Sequence, residues 1–258
     1  MKKKLKIGAL ISGGGTNLQA IINSCENGNI DVQIVFVGTD NPNARGLERA
    51  RKHNIPYFVV DYTTLIKKYQ DYSLPEDYNS DEIFEKQHIF SKQTKDRRKV
   101  MQLISSRILA ERALLDKMAK YDYDLLVLAG FMRVLTPYFI DRVNNDSPLP
   151  RIMNIHPALL PSFPGTDGYG DTFSYGCKVG GCTVHFIDYG EDSGPIIGQK
   201  SFAITPEDTE ESIRKKGLAL EWELYPECIQ LFAENRLKLQ VNPSKNRQWK
   251  NRLNVSIV

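Results

Sequence analysis

The segment LKIGALISGGGTN, residues 5–17, joins a short apolar run to a glycine-rich turn. Apolar residues from Leu18 to Cys25 then recur with the spacing of one buried helix face. The segment therefore predicts a β-strand, a turn and an α-helix in succession. Apolar strands are also predicted at 32–37, 56–60 and 125–129, and helices at 43–53, capped by Asn43, at 100–121 and after Thr136-Pro137. Such alternation is typical of parallel βαβ units.

The later part of the chain predicts a different pairing of strands. Strands at 183–187 and 196–204 are candidates for antiparallel pairing, and a closing helix at 208–234 precedes a short strand at 237–240. We therefore expect a Rossmann-like α/β fold. Its sheet is mostly parallel and twisted, with helices on both faces and a mixed C-terminal part.

The length of 258 residues permits one domain or two, at roughly 150 residues per domain. We expect one domain over residues 1–241. The polar, aperiodic stretch 62–99 is expected to be an inserted surface excursion with one short helix near 83–90. Residues 242–258 are expected to be a polar, poorly ordered C-terminal tail.

Composition excludes several classes of protein. Lys and Arg number 34 and Asp and Glu 31, a net charge of +3, which is too nearly neutral to favour nucleic-acid binding. The sequence contains no apolar run of the roughly 18 residues that cross a bilayer, and the run after the basic N-terminus is too short for a signal peptide. Four cysteines do not suggest a disulfide framework. We expect a cytoplasmic protein, monomeric or homodimeric, that binds small molecules.

The glycine-rich turn at 12–17 is a candidate anion site. Glycines let the backbone approach a ligand, and N–H groups at a helix N-terminus bind anions. The dinucleotide pattern G-x-G-x-x-G fails at Leu18, and no Gly-Lys-Ser/Thr of a Walker loop is present. The turn therefore predicts a phosphomonoester site rather than an NAD or ATP site, with an ordinary strand-to-helix turn as the alternative.

A second candidate site is polar and follows the later strands. In NIHP, Asn154 and His156 fall on one side of an extended segment, because side chains alternate there, and Asp192 lies in a turn between strands. A histidine can move protons, an amide can donate to an oxyanion, and a carboxylate favours the protonated imidazole. With no serine or cysteine at an obvious nucleophile position, direct acyl transfer to an external amine suits this trio. A capped core histidine is the alternative for His156.

Five stretches together carry a family resemblance: SGGGTNLQAI (12–21), LAGFMRVL (128–135), NIHPALLPSFPG (154–165), VHF (184–186) and EDSGPII (191–197). They resemble the phosphoribosylglycinamide formyltransferases of the folate-dependent formyltransferase superfamily. The resemblance runs from about residue 5 to 239, apart from 62–99. It implies transfer of a formyl group from 10-formyltetrahydrofolate, as co-substrate, to the amine of 5′-phosphoribosylglycinamide in purine synthesis.

The resemblance also assigns residues. It implies that Asn154, His156 and Asp192 are catalytic. Phosphoribosylglycinamide would be bound by Gly15, Thr16, Asn17 and Glu221. Folate would be bound by Arg107, Met132, Arg133, Val134, Leu135, Asn154 and His185, with a packed strand histidine as the alternative for His185. No metal is implied, since Cys177 and Cys182 form a lone pair without a second pair nearby.

Two departures from the family pattern concern the phosphate end. Leu218 stands where a polar residue often reaches the phosphate, and Lys215 or Lys216 is the candidate substitute. The loop 166–173 lacks the histidines often found there. A formyltetrahydrofolate hydrolase and a non-catalytic sugar-phosphate binding module remain the alternative functions. The excursion 62–99 is a hypothetical cover for the folate entrance, because it directly precedes Arg107.

Overall fold

A computed structural model describes residues 4–68, 79–89, 96–145, 147–242 and 252–258. Its strands are β1 (Leu5–Ile11), β2 (Val32–Thr39), β3 (Tyr57–Val59), β4 (Leu125–Leu128), β5 (Ile152–His156), β6 (Val179–Phe186), β7 (Ile196–Ala203), β8 (Leu237–Val241) and β9 (Leu253–Ile257). Its helices are α1 (Thr16–Glu26), α2 (Gly46–Lys52), α3 (Tyr62–Lys68), α4 (Ser80–Lys86), α5 (Arg97–Met118), α6 (Pro137–Asn144), α7 (Gly168–Ser174) and α8 (Glu210–Ala233).

The main sheet has seven strands in the order β3-β2-β1-β4-β5-β6-β7. The first five strands in this order, β3-β2-β1-β4-β5, pair in parallel with their neighbours. The last two pairs, β5 with β6 and β6 with β7, are antiparallel. The predicted α/β fold, with its mostly parallel sheet and mixed C-terminal part, is therefore confirmed. Strands β8 and β9 form a separate two-stranded sheet.

Helices cover both faces of the sheet, because alternate strand residues supply apolar side chains to each face. Helices α1, α2 and α8 pack on one face over side chains such as Ile7, Val127 and Met153. Helices α3, α5 and α6 pack on the other face over Leu126 and Leu128. Among the described residues, no helix is long and apolar enough to cross a membrane.

Tyr225 of α8 fixes the two central strands below the polar residues of β5. Its side chain is fully buried, and its hydroxyl lies 3.1 Å from the carbonyl oxygen of Leu128 and 2.8 Å from that of Met153. One phenol thus contacts the backbones of neighbouring strands β4 and β5. Burial raises the pKa of this hydroxyl, so it stays a donor.

Of two local predictions about helix caps, one was wrong and one was confirmed. Helix α2 begins at Gly46 with Arg45 as its N-cap, and the Asn43 amide N–H instead donates to the side chain of Asn41. Thr136 is the N-cap of α6 and Pro137 is its first residue, as the sequence predicted. The Thr136 hydroxyl accepts no hydrogen bond from the helix, and its hydroxyl and backbone N–H both donate to the Glu111 carboxylate. Burial raises the pKa of this fully enclosed Glu111 carboxyl to about 7.

The excursion and the tail are more ordered than expected where the structure describes them. Tyr62 of α3 and Ile83 of α4 are buried, and α4 packs against α5 and α6. The short helix predicted near 83–90 corresponds to α4, which ends at Lys86. Residue 90, the last of the predicted range, lies outside the described residues. In the tail, β9 pairs with β8, so the expectation of disorder was wrong for 253–257; residues 69–78, 90–95 and 243–251 lie outside the described residues.

Replacing Tyr225 by Phe should lower the free energy of unfolding by about 1–2 kcal/mol, because both carbonyl oxygens lose a buried donor. Tyr175→Phe is the matched control, since Tyr175 is 79% exposed and its loss of a hydroxyl should cost less than about 0.5 kcal/mol. Urea unfolding of the two variants measures the difference. Equal stabilities would show that the phenol does not link the strands.

Candidate active site

The polar side chains of β5 lie on one face of the sheet, as their spacing predicted. Asn154 and His156 alternate with the apolar Met153 and Ile155, which enter the core under α8. In the antiparallel pairing with β6, Asn154 lies directly opposite His185. Cross-strand partners share a face, so the histidine of the next strand is placed against the Asn154 amide.

His156 is placed between two oxygen atoms. Its Nε2 lies 2.8 Å from the carbonyl oxygen of Phe163, and its Nδ1 lies 3.3 Å from a carboxylate oxygen of Asp192. The ring is almost fully buried. An imidazole that carries a proton on both nitrogens can donate to both oxygens, whereas a neutral ring leaves one of them unpaired. The surroundings of His156 therefore suit the charged imidazolium.

His185 has the opposite surroundings. Its Nδ1 lies 2.9 Å from the carbonyl oxygen of Phe186, and its Nε2 lies 3.2 Å from the amide nitrogen of Asn154. These partners assign the proton to Nδ1 and leave Nε2 as an acceptor. Burial lowers the pKa of His185, which the nearby Asp192 only partly opposes. A neutral His185 thus accepts one N–H of the Asn154 side-chain amide and fixes the orientation of that amide. The second N–H of the same amide is not used by His185.

Asp192 is held by a backbone N–H as well as by His156. Its Oδ2 accepts a 2.8 Å hydrogen bond from the N–H of Gly165, and its Oδ1 lies 3.7 Å from Nε2 of His185. The backbone of Asp192 has a φ of 47°, in the left-handed region. Such a conformation costs free energy and persists only where surrounding contacts impose it. The turn therefore places this carboxylate at a cost.

A cavity of about 370 Å³ borders this polar group. The trio Asn154, His156 and Asp192 forms part of its wall. The other predicted site residues in the wall are Asn17, Met132, Arg133, Val134, Leu135 and Glu221. Further wall residues are Ile89, Leu128, Gly130, Phe131, Ile155, Pro157, Gly165, Thr166, Tyr169, Ile187, Asp188, Gly190, Glu191, Arg214 and Leu218.

Glu221 of α8 is the centre of a buried polar group in this wall. One carboxylate oxygen accepts from Asn17 Nδ2 at 2.7 Å, and the other accepts from the Tyr169 hydroxyl at 2.6 Å. Burial raises the pKa of Glu221 above 4.5, while both donors and the nearby His156 lower it. Asn17 Oδ1 is buried and has no hydrogen-bond partner among the described residues. A ligand donor would satisfy that oxygen.

The glycine loop exposes donors because its carbonyl oxygens are already bonded. The carbonyls of Ser12, Gly13 and Gly14 accept from Asn41 Nδ2, the Gly46 N–H and Arg49 Nε, respectively. Within the described parts of the chain, the N–H groups of Gly13, Gly14 and Gly15 have no acceptor. A Cβ at Gly13 or Gly14 would meet nothing within 4 Å, so space lies above the loop. Free N–H groups at the start of α1 suit an anion.

Ser12 joins this loop to the segment after β4. Its N–H donates to the carbonyl of Gly130 at 3.0 Å, and its hydroxyl accepts from the N–H of Met132 at 2.9 Å. The backbone donor of Met132 is therefore already paired. The Arg133 guanidinium pairs with the buried carboxylate of Asp40.

Four predicted residues lie outside the cavity wall. Gly15 is the buried N-cap of α1, and Thr16 lies in a neighbouring depression beside Arg49. His185 is fully buried behind Asn154, so it contacts the trio rather than the cavity. Arg107 points to a charged cluster around Asp40, Glu111, Tyr62 and Arg133. Burial lowers the pKa of Arg107, and its Nη1 has no partner among the described residues.

Sequence analysis missed Tyr169 and Arg214. Tyr169 lies in the loop whose histidines are absent, and it binds Glu221, which is 52 positions away. The substitutes proposed for the Leu218 position were wrong: Lys215 pairs with Glu211 and Lys216 pairs with Asp208, both outside the cavity wall. Arg214 is in the wall, one helical turn before Leu218, and its guanidinium bonds Asp167 at 2.6 Å. Helical i, i+4 spacing was the signal that could have identified it.

No group of three or more His, Cys, Asp or Glu side chains within the described ranges is arranged to hold a metal ion. Cys177 and Cys182 are free thiols.

Comparison with known proteins identifies the family. A family model described as Formyl transferase matches residues 5–229, and the chain belongs to that family. Among its relatives is the phosphoribosylglycinamide formyltransferase of Haemophilus influenzae, 32% identical over 237 residues that cover 92% of this chain and 91% of that protein. The enzyme of the same name from Bacillus subtilis is 31% identical and covers 87% and 92%.

Solved structures agree with this assignment. Glycinamide ribonucleotide transformylase 1 from Symbiobacterium toebii superimposes with a TM-score of 0.73 at 34% identity, covering 100% of this chain and 96% of that one. A formyltetrahydrofolate deformylase from Burkholderia mallei has a TM-score of 0.68 at 21% identity, covering 99% and 70%, which shows a shared fold alone.

Replacing Gly15 by Ala should lower the free energy of unfolding by about 1–3 kcal/mol. Gly15 has a φ of 68°, and an added Cβ would lie 2.9 Å from the Cα of Gly46. Gly14→Ala is the control, because its Cβ would enter open space, and it should change stability by less than about 0.5 kcal/mol. Denaturant unfolding compares the two; a stable Gly15→Ala variant would contradict the proposed contact.

Proposed function

We propose that this protein transfers the formyl group of 10-formyltetrahydrofolate to the amine of 5′-phosphoribosylglycinamide, a step of purine synthesis. The observation that carries the proposal is that the Asn154, His156 and Asp192 trio lines one cavity together with Asn17 and Glu221. The trio can promote acyl transfer. Asn17 lies in the first turn of the helix that follows the candidate anion loop, and it is bonded to Glu221 of α8. The proposed reaction uses no metal.

The chemistry requires one bond to form and one to break. The glycinamide amine attacks the formyl carbon, and the electron pair of the carbonyl moves to oxygen. Collapse of this intermediate breaks the bond from carbon to the folate N10. The proton lost by the amine goes to N10, so the formyl group replaces one hydrogen on the amine and tetrahydrofolate leaves.

The three side chains have distinct tasks in this proposal. Asn154 donates to the developing oxyanion with the amide N–H that His185 does not use. Charged His156 adds positive charge beside that oxygen, and the Asp192 carboxylate, 3.3 Å away, maintains the charge. Asp192 also receives the amine proton and passes it towards N10, directly or through water.

The phosphate end relies on backbone donors rather than on a cluster of cations. The free N–H groups of the Gly13–Gly15 loop hold the 5′-phosphate, together with Thr16 and Asn17. Glu221 receives ribose hydroxyls on lone pairs left free by Tyr169 and Asn17. We assign the phosphate contact that Leu218 cannot make to Arg214, whose guanidinium also pairs with Asp167 and Glu210.

The folate end is mostly apolar. The segment Met132–Leu135 lines it together with Leu128, Phe131 and Ile187. Ile89, which follows α4 in the inserted stretch, also lies in the wall. Its position supports the hypothesis that the insertion covers the folate entrance. We assign Arg107 and Arg133 to the same region, where their charge favours a carboxylate-bearing ligand.

A folate-release assay separates the candidate functions. The protein is mixed with 10-formyltetrahydrofolate, with and without phosphoribosylglycinamide, and tetrahydrofolate and formylated product are measured. We expect release only with the ribonucleotide, in equal amounts with formylated product. Release of formate without the ribonucleotide would identify a hydrolase, and no release would favour a binding module.

Asp192→Asn should lower kcat by about 10²- to 10⁴-fold, because the amide neither accepts a proton nor stabilises a charged imidazole. His156→Ala should lower kcat by a similar factor. Asp116→Asn, an exposed change on α5, is the matched control and should have normal turnover. Steady-state kinetics measure the effect, and circular dichroism verifies the fold. Near-normal turnover of Asp192→Asn would refute its assigned role.

A further inference from the structure

The C-terminal strand β9 lies beyond the residues that match the formyl transferase family, yet it reaches the turn that carries Asp192. Arg252 directly precedes β9, and its Nη2 donates to the carbonyl oxygen of Ser193 at 3.2 Å. Strand β9 also lies against β7, which begins where this turn ends. Ser193 is the neighbour of Asp192 in the chain. The contact therefore acts on the backbone that orients the carboxylate.

That turn requires contacts of this kind. Asp192 has a φ of 47°, which its own local sequence disfavours because the residue has a side chain. Gly194 admits no side chain, since a Cβ would lie 1.8 Å from the carbonyl oxygen of Phe186. The strained residue is thus followed closely by a tightly packed glycine.

A side chain inside the turn restrains Ser193 from its other side. The carboxylate of Asp188 accepts from the Ser193 hydroxyl at 2.7 Å and from the Gly190 N–H at 3.0 Å. The Ser193 hydroxyl is therefore bonded within the turn, and its carbonyl is bonded by Arg252. The two contacts restrain the side chain and the carbonyl of Ser193, the residue that follows Asp192.

The hairpin that carries Arg252 is itself anchored. Strand β8 pairs with β9 over five residue pairs, from Leu237 with Ile257 to Val241 with Leu253. Leu237 is buried in the main core, and Val255 packs against that core. The N–H of Asn242 donates to the Arg252 carbonyl at 2.7 Å, which fixes the backbone at the position of the guanidinium.

We propose that Arg252 is a positioning residue that holds the Asp192 turn in its active geometry from the C-terminal hairpin. The proposal rests on the proposed function of Asp192. Losing the Arg252 contact frees the Ser193 carbonyl, lets the turn relax from the left-handed conformation and moves the carboxylate away from His156. The groups assigned to the phosphate, the ribose and the folate lie outside residues 188–195, so we expect turnover to fall while affinity is retained.

The test compares Arg252→Ala with Arg236→Ala. Arg236 belongs to the same hairpin and bonds the Val258 carbonyl and Glu234, away from the turn, so its variant controls for weakening of the hairpin. We expect Arg252→Ala to lower kcat about tenfold with both KM values unchanged, and Arg236→Ala to retain the wild-type kcat. Arg252→Lys should recover most of the turnover, because an ammonium group still donates to a carbonyl.

Hydrogen-exchange mass spectrometry gives a readout that needs no activity. Peptides covering residues 188–195 should exchange faster in Arg252→Ala than in wild type or Arg236→Ala. Unchanged exchange and unchanged kcat in Arg252→Ala would overturn the proposal, as would an equal loss in both alanine variants. If wild-type protein releases no tetrahydrofolate, the proposed function fails, and exchange alone decides whether Arg252 restrains the turn.

Discussion

The contact between the Asp192 carboxylate and the His156 ring is the interaction on which the rest of the site depends. Its 3.3 Å separation joins the end of β5 to a turn that precedes β7, so it is set by the pairing of three strands. Two restraints maintain it from outside. The Gly165 N–H holds the carboxylate, and the Phe163 carbonyl holds the opposite nitrogen of the ring.

The two histidines of this site have different hydrogen-bond partners because they occupy different positions in the sheet. His156 faces oxygen atoms on both sides, whereas His185 faces an amide donor on one side. The partners of the ring that borders the cavity suit donation from both nitrogens, whereas burial lowers the pKa of His185 behind it. A second charge on His185 would compete with His156 for the same carboxylate.

The sequence predicted those parts of the structure that depend on local periodicity. Alternating strand and helix patterns placed β1, β4 and β5, and the period of two placed Asn154 and His156 on one side. Contacts between distant segments were not accessible in this way. Tyr169 belongs to no recognisable motif. Its role depends on the hydrogen bond that it donates to Glu221, which lies on α8, later in the sequence. The prediction about Lys215 and Lys216 failed because their ammonium groups pair with Glu211 and Asp208 outside the cavity wall, which helical spacing alone does not indicate. Strand β9 was missed because polar residues precede it, and its pairing partner is β8.

The close approach of Gly15 to Gly46 has an evolutionary consequence. An added Cβ on Gly15 would lie 2.9 Å from the Cα of Gly46, and one on Gly46 would lie 2.5 Å from Ile11 and 3.2 Å from the Gly13 carbonyl. A side chain on Gly15 would require the Gly46 backbone to move, and one on Gly46 would require the end of the Ile11 side chain to shift. The same approach lets the Gly46 N–H bind the Gly13 carbonyl and turn the loop donors outward. Substitutions at these two positions, 31 residues apart in the chain, are therefore coupled, and a side chain at either one would disturb the candidate anion loop.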